Sequence, residues 1–299
     1  MTDKKKSYHT GIWLMLASAS GLSFTALFGK LGNNLFSLPS LIFWRYSVSF
    51  LFCLLFFWLK GSLRNFLKQG DYKLHFLRAL LVLLSQYSFY YYLKHNNLLN
   101  ATVLLNLGPL FIPIIEWGVL KKRIGRSTWI GVAISMIGAV LILQPNKTIL
   151  SFTSFVGLLS GIAQGASQVV FGINSRKENA DLGILNLFFL CSLFSMIPYL
   201  IGAGSLWLGQ PQWTWGAILI AFLAVASLAN QIFRSLAYKH ASPSKLAAFF
   251  YLSVILSGLW DWIFFHHTPN LLSICGALLV ILGGTLKIWM HYSKTKTPR

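Results

Sequence analysis

Only six acidic residues occur among 299, against 25 Lys and Arg, and two of the six stand where acids are least expected. Glu116 lies in PLFIPIIEWGV and Asp261 in LSVILSGLWDWIFF, each deep in an apolar run and each followed by Trp. At the centre of a membrane helix a charge costs about 2.5 to 3.5 kcal/mol on insertion scales, so such a group is expected to face a cavity or a partner. Both acids also lie toward the C-terminal end of their run, where the helix dipole disfavours an anion and a basic partner offsets it. Two arginines inside apolar runs can supply that partner: Arg45 in FWRYSVSF and Arg234 in NQIFRSLAY. The chemistry suggested is gating by ion pairs, Glu116 with Arg234 and Asp261 with Arg45, one pair breaking as the other forms; static pairing, or snorkelling to the interface and its lipid head groups, is the other use of these charges.

Uncharged polar residues extend the pattern. Asn106, Pro109, Pro113 and Glu116 recur at spacings of three and four, which places them on one helical face. The two prolines free backbone carbonyls that lipid cannot satisfy and a cavity can. Gln164 and Gln168 share a face, and Gln86 and Gln231 form a matched pair in the repeat described below, as do Asn106 and Tyr251. These six, Asn106, Tyr251, Gln86, Gln231, Gln164 and Gln168, are the candidates for lining a solute pathway. Interhelical hydrogen bonding, worth about 0.6 to 2 kcal/mol in membranes, is their other use.

Other motifs point to structure. Phe89-Tyr90-Tyr91-Tyr92 reads as an aromatic belt at the membrane interface. Gly157, Gly161 and Gly165, four apart, read as a close helix contact. His266-His267 falls in an outer turn. Cys53, Cys191 and Cys275 lie in apolar runs without CxxC spacing, so neither a disulfide framework nor a zinc site is indicated. Walker, HExxH and GxSxG patterns are absent from the sequence, which argues against an ATP-driven pump and an intramembrane enzyme, and no cofactor is expected.

Apolar residues make up 56% of the chain and charged ones 10%, with mean hydropathy +0.64, which is a membrane composition. The net charge of +19 sits mostly in short connections between apolar runs, so its expected neighbour is anionic lipid and not nucleic acid. Runs long enough to span fall at roughly 11–31, 38–59, 73–93, 97–120, 127–144, 152–174, 182–203, 213–236, 243–265 and 270–290. They must be helices, since none alternates as a barrel strand does. The first is long enough to span and lacks a clear cleavage site, so it is retained despite Lys4, Lys5 and Lys6 ahead of it.

The chain repeats. Shifting it by 145 residues lays Ala79 on Ala224, Gln86 on Gln231, Lys94-His95 on Lys239-His240, Trp117 on Trp262, Gly131 on Gly276 and Gly138 on Gly283, with Glu116 on Asp261. Basic residues assign orientation. With the N-terminus inside, Lys60, Arg64, Lys68, Lys73, Arg78, Lys121, Lys122, Arg123, Arg126, Arg176, Lys177, Lys239, Lys245 and the tail from Lys287 to Arg299 are inner, and only Lys30, Lys94 and Lys147 are outer. Lys94 and its mate Lys239 then face opposite sides, as an odd number of helices per unit requires. The expected fold is all-α, ten transmembrane helices as two inverted five-helix repeats, 1–147 and 148–299, in one membrane unit.

Ten helices as five plus five, with LLNLGPLF (104–111), a basic turn, IGVAISMIGAVLIL (130–143) and the FWRY run around Arg45, resemble the drug/metabolite transporter superfamily, specifically its EamA-type permeases. The sequence departs from the family pattern at Lys121-Lys122-Arg123, where a Gly-Glu usually precedes a basic residue, and at Val254, where Pro is frequent. The resemblance implies alternating access by a carrier of small organic solutes, with helices 1, 3, 4, 6, 8 and 9 around the cavity and 5 and 10 nearer the periphery. The expected function is secondary transport of a small polar or zwitterionic metabolite, amino-acid-like or nucleoside-like, in a bacterial inner (plasma) membrane with both termini cytoplasmic. S-adenosylmethionine uptake, organic-cation efflux and lipid scrambling are the alternatives, and a homodimer stays open. Cysteines substituted at 116 and 234 should crosslink in at least one state; failure to crosslink in any state removes the inner gate.

Overall fold

The computed structural model describes residues 2–61, 72–121, 125–143, 152–174, 180–202, 213–240, 246, 249 and 251–294. Much of the basic cluster assigned to the inner side, including Arg64, Lys68, Lys122, Arg123, Arg176, Lys177 and Lys245, lies outside the described residues, as does Lys147. Among the described residues the chain is helical and contains no β-strand element. The helices are α1 Thr2–Asn33, α2 Leu38–Leu59, α3 Tyr72–His95, α4 Leu98–Leu105, α5 Gly108–Gly118, α6 Arg126–Leu143, α7 Phe152–Asn174, α8 Ala180–Ile201, α9 Trp213–His240, α10 Leu252–Phe265 and α11 Leu271–Lys294. Among the described residues six stretches are long and apolar enough to cross a membrane: Tyr8–Asn33, Leu38–Leu59, Leu98–Gly118, Phe152–Phe171, Gly183–Ile201 and Trp213–His240. Shorter apolar stretches lie in α6, α10 and α11.

The predicted fourth span is two helices. Pro109 has no N–H and its ring crowds the carbonyl four residues back, so α4 stops at Leu105. Asn106 and Leu107 close the last turn by donating to Thr102 O (3.0 Å) and Leu104 O (3.2 Å), and α5 restarts with Pro109 in its first turn, where a missing N–H is harmless.

Burial runs opposite to that of a soluble protein. Large apolar side chains face outward, among them Leu59, Ile137, Ile201, Phe222 and Leu278, while Arg45, Arg78, Gln86, Asn230 and Arg234 are buried. Lipid accepts the first group; polar side chains turn to the interior because only protein or a cavity can bond them.

Packing partners follow the repeat. α1 packs along α9 and α3 along α7; α5 meets α7 and α10 meets α1; α2 meets α8, and α6 pairs with α11. Each pairing maps onto another, or onto itself, when the two halves of the chain are exchanged. Two hydrogen bonds join residues 145 apart, Ser47 Oγ to Ser192 Oγ (2.8 Å) and Ser135 Oγ to Val280 O (3.3 Å). Between α6 and α11 a Cβ on Gly131 would lie 2.5 Å from Gly283 O, and one on Gly138 2.6 Å from Gly276 O. These four glycines are two repeat pairs that cross.

The glycine row in α7 makes the close contact its spacing suggested: a Cβ on Gly165 would lie 2.6 Å from Gly108 O, and Gly161 abuts Leu104 O. The aromatic run departs from expectation. Phe89, Tyr90 and Tyr92 are buried in the protein and do not form an interfacial belt, because the C-terminal part of α3 that carries them packs against neighbouring helices, while Phe76, Leu80 and Leu84 hold its exposed face. Gly165→Leu should force α5 away from α7 and lower stability by about 1 to 3 kcal/mol, the usual range for overpacking, read as a drop in melting temperature of the detergent-purified protein.

Candidate solute site: an arginine-lined cavity

A cavity of about 50 Å³ with an open mouth lies between the two halves of the chain. From α3 it receives Arg78, Val82 and Gln86, spaced four apart on one face; from α9 it receives Ser227, Asn230, Gln231 and Arg234, spaced three, one and three. The glycine-bearing α7 adds Gln164, Ser167 and Gln168, and α1 adds Leu22 and Thr25. Arg45 and Tyr46 come from α2, Leu187 and Phe188 from α8 and Leu105 from the end of α4. Helices 2 and 7 of the expected ten therefore contribute to the wall, and α10, the expected helix 9, does not.

Of the six pathway candidates, Gln86, Gln231, Gln164 and Gln168 line this cavity. Asn106 and Tyr251 do not. Asn106 is buried at the seam between α4 and α10, donating to Thr102 O (2.8 Å) and Ser253 Oγ (3.3 Å), and Tyr251 is buried at the start of α10.

Arg45 is the hub of the wall. Its Nε donates to Ser227 Oγ (3.1 Å), and its Nη1 donates to Gln86 Oε1 (2.5 Å) and Tyr90 Oη (2.9 Å). Tyr90 fits there because Gly29 of α1 has no side chain: a Cβ would lie 2.6 Å from the Tyr90 hydroxyl. Asn33 Nδ2 then donates to Tyr90 O (2.8 Å), tying α1 to α3. Arg78 donates through Nη1 to Gly183 O (3.2 Å), and its guanidinium carbon lies 4.1 Å from the centre of the Phe171 ring. Arg234 donates to Gln231 Oε1 at 2.5 Å and interacts electrostatically with Arg78. The cavity wall thus holds three guanidinium groups, and among the described residues that line it no acid stands.

The acids are placed elsewhere. Asp261, whose side chain is 2% exposed, takes Lys30 Nζ at 2.9 Å on one oxygen and the Leu99 N–H at 3.0 Å on the other. His267 Nδ1 stands 3.6 Å from the same carboxylate. This cluster fastens α1, α4, α10 and the turn after α10 together, with Trp260 Nε1 bonded to Ser23 Oγ (2.6 Å) as a further tie between α10 and α1. In this structure Asp261 is paired with Lys30, and Arg45 with neutral groups, so the expected Arg45–Asp261 pair is not assembled. Arg45 points across α3 to α9 while Asp261 points to the end of α1; sequence depth is similar, direction is not. Glu116 lies half-buried in the last turn of α5, away from the cavity lining that contains Arg234.

Sequence reasoning missed Lys30 and Arg78, which it assigned to flanking charge that sets orientation. Both carry a readable signal. Arg78 stands four and eight residues before Val82 and Gln86, and Lys30 lies inside a run whose other polar residues, Ser23 and Thr25, are also buried.

The sequence profile of the EamA-like transporter family matches this chain twice, over residues 9–144 and 151–288. The S-adenosylmethionine uptake transporter of Rickettsia felis is 26% identical over 99% of this chain and 97% of its own length. The pseudopaline exporter CntI of Pseudomonas aeruginosa is 24% identical over 65% of this chain and 67% of its own length. A solved crystal structure superposes with TM-score 0.67 at 13% identity, covering 94% of this chain and 98% of that one, which is a likeness of fold. With both halves matched by one profile across nearly the whole sequence, the chain belongs to the EamA-like transporter family of membrane proteins.

Proposed function

We propose that the protein is a secondary transporter that carries a small polar organic metabolite through the central cavity by alternating access, and that it is built as two inverted five-helix repeats, residues 1–147 and 148–299. The observation that carries this reading is the cavity itself, a polar space walled by helices of both halves within an apolar exterior. The symmetric packing, the two bonds between residues 145 apart and the double profile match support the repeat. Inverted repeats put a solute site near the bilayer midplane at their interface, with rocking of the halves exposing it to each side in turn.

On the charge-based orientation, with both termini cytoplasmic, the Lys30–Asp261 cluster lies at the outer end and acts as the seal of the outer gate. Glu116 and Arg234 belong to the opposite end and meet when that end closes. S-adenosylmethionine uptake is the second reading, supported by a relative of that function that aligns over almost the full length.

Two measurements test the mechanism without knowledge of the solute. With Cys53, Cys191 and Cys275 replaced by Ala, a single Gln168→Cys should react with a membrane-impermeant thiol reagent in both right-side-out and inverted vesicles. Reaction from one side alone would count against alternating access. In the same background, Lys30→Met should raise labelling from the outer side several-fold, since it leaves a buried carboxylate without its ion pair, a loss of about 3 to 5 kcal/mol in buried pairs. Unchanged outer labelling would deny the cluster a gating role.

A further inference from the structure

Resting on the carrier reading above, we propose that the solute held in this cavity is an organic anion, with more acidic than basic groups, whose carboxylate or phosphate oxygens bind Arg45 and Arg78. The argument begins with charge. Arg45 and Arg78 are 6% and 3% exposed, too enclosed to reach a lipid headgroup, and both face the cavity. Their protein partners are all neutral: a serine hydroxyl, a glutamine carbonyl, a tyrosine hydroxyl, a backbone carbonyl and an aromatic ring. Neutral dipoles hold a guanidinium in place without cancelling its charge.

The donors left over have the geometry of an anion site. A guanidinium carries five N–H groups in a rigid planar fork. On Arg45 the protein occupies Nε and Nη1, which leaves the two N–H groups of Nη2; on Arg78 it uses Nη1 alone, for a single bond, which leaves Nε and Nη2. The parallel N–H groups of Nε and Nη2 on Arg78 match a carboxylate or phosphate edge, the two diverging N–H groups of Arg45 Nη2 can each take one oxygen, and charge-assisted bonds of this kind are about twice as strong as neutral ones. Phe171 covers one face of the Arg78 guanidinium, so a ligand meets its edge.

Spacing adds a constraint on the solute. Arg45 is anchored at Gln86, eight residues from Arg78 along α3, which is roughly 12 Å of helix. Arg234 adds a third positive charge near Arg78. A solute with one acidic group could engage one end only, and its ammonium, if it had one, would find amide and hydroxyl oxygens but no carboxylate in the wall. Two acidic groups at separate ends of the molecule satisfy both arginines. The two acids within apolar runs, Glu116 and Asp261, are withdrawn from the cavity: Asp261 into the Lys30 cluster and Glu116 to the end of α5.

The test uses the purified full-length protein and follows thermal stabilisation with succinate, citrate, glycerol 3-phosphate, choline and S-adenosylmethionine as probes. At least one of the first three should raise the melting temperature in a saturable way, with apparent affinity at least about tenfold weaker in Arg45→Gln and in Arg78→Gln. Arg78→Lys, which keeps the charge and loses the fork, should fall between wild type and Arg78→Gln. Preference for succinate or citrate assigns carboxylate chemistry, and preference for glycerol 3-phosphate assigns phosphate chemistry. Stabilisation by choline or S-adenosylmethionine that persists in both Gln variants would overturn the anionic assignment, as would no response to any of the three anions. The two-sided labelling of Gln168→Cys is independent of these probes, so the anionic assignment can fail while the carrier reading stands.

Discussion

Charge inside hydrocarbon is the constraint on which this structure depends. A buried ion faces an effective desolvation penalty of several kcal/mol, and the surrounding protein must return it through bonds of good geometry. Two solutions coexist here. Asp261 and Lys30 neutralise each other, with the Leu99 N–H and His267 filling the remaining positions around the carboxylate. Arg45 and Arg78 are held by dipoles and a ring, and keep their charge for the cavity. The first solution fastens helices together. The second leaves a field that an incoming solute can use.

Both solutions require close helix approach, which small residues supply. Gly29 admits the Tyr90 ring against α1, and so allows one tyrosine to take a bond from Arg45 at its hydroxyl and one from Asn33 at its carbonyl. Gly161 and Gly165 bring α7 against the α4–α5 break, which sets Gln164 and Gln168 at the cavity wall. Between α1 and α9, a Cβ on Gly21 would lie 3.0 Å from Asn230 N, and Asn230 and Ser18 exchange bonds of 2.8 and 3.0 Å across that contact. In lipid, helices gain little from apolar burial against one another, so packing of small residues and such polar exchanges carry the association.

The all-helical membrane architecture was legible because its signals are one-dimensional. Apolar run length sets the spans, and a shift of 145 residues aligns Gln86 with Gln231 and Gly131 with Gly276 without any knowledge of packing. The four glutamines in the wall were found for the same reason, through matched positions or a shared helical face. Partner choice was not legible. Depth along the membrane placed Arg45 and Asp261 at one level, but which way a side chain points depends on helix rotation, and rotation turned Arg45 toward Gln86 and Ser227. Tyr90 was misread for a related cause: an aromatic residue near a helix end sits at the lipid interface only if its side chain faces outward, and Tyr90 faces the protein interior. Basic residues near helix ends were counted as topology signals, which gave no hint that Arg78 and Lys30 are buried inside the protein.

The two uses of charge are physically contiguous. Lys30, which closes the Asp261 cluster, and Asn33, which holds the backbone of Tyr90, lie on the last turn of α1, three residues apart. Tyr90 in turn takes a bond from Arg45, whose remaining donors face the cavity. A rocking motion that separates α1 from α10 therefore has to move a helix that also positions the cavity's principal cation through Tyr90. Carriers need occupancy of the site and closure of an end to bias one another, and such coupling requires an element with different contacts in each state. The end of α1 is placed to serve as such an element, because it bonds to the Asp261 cluster through one side chain and to the cavity wall through another.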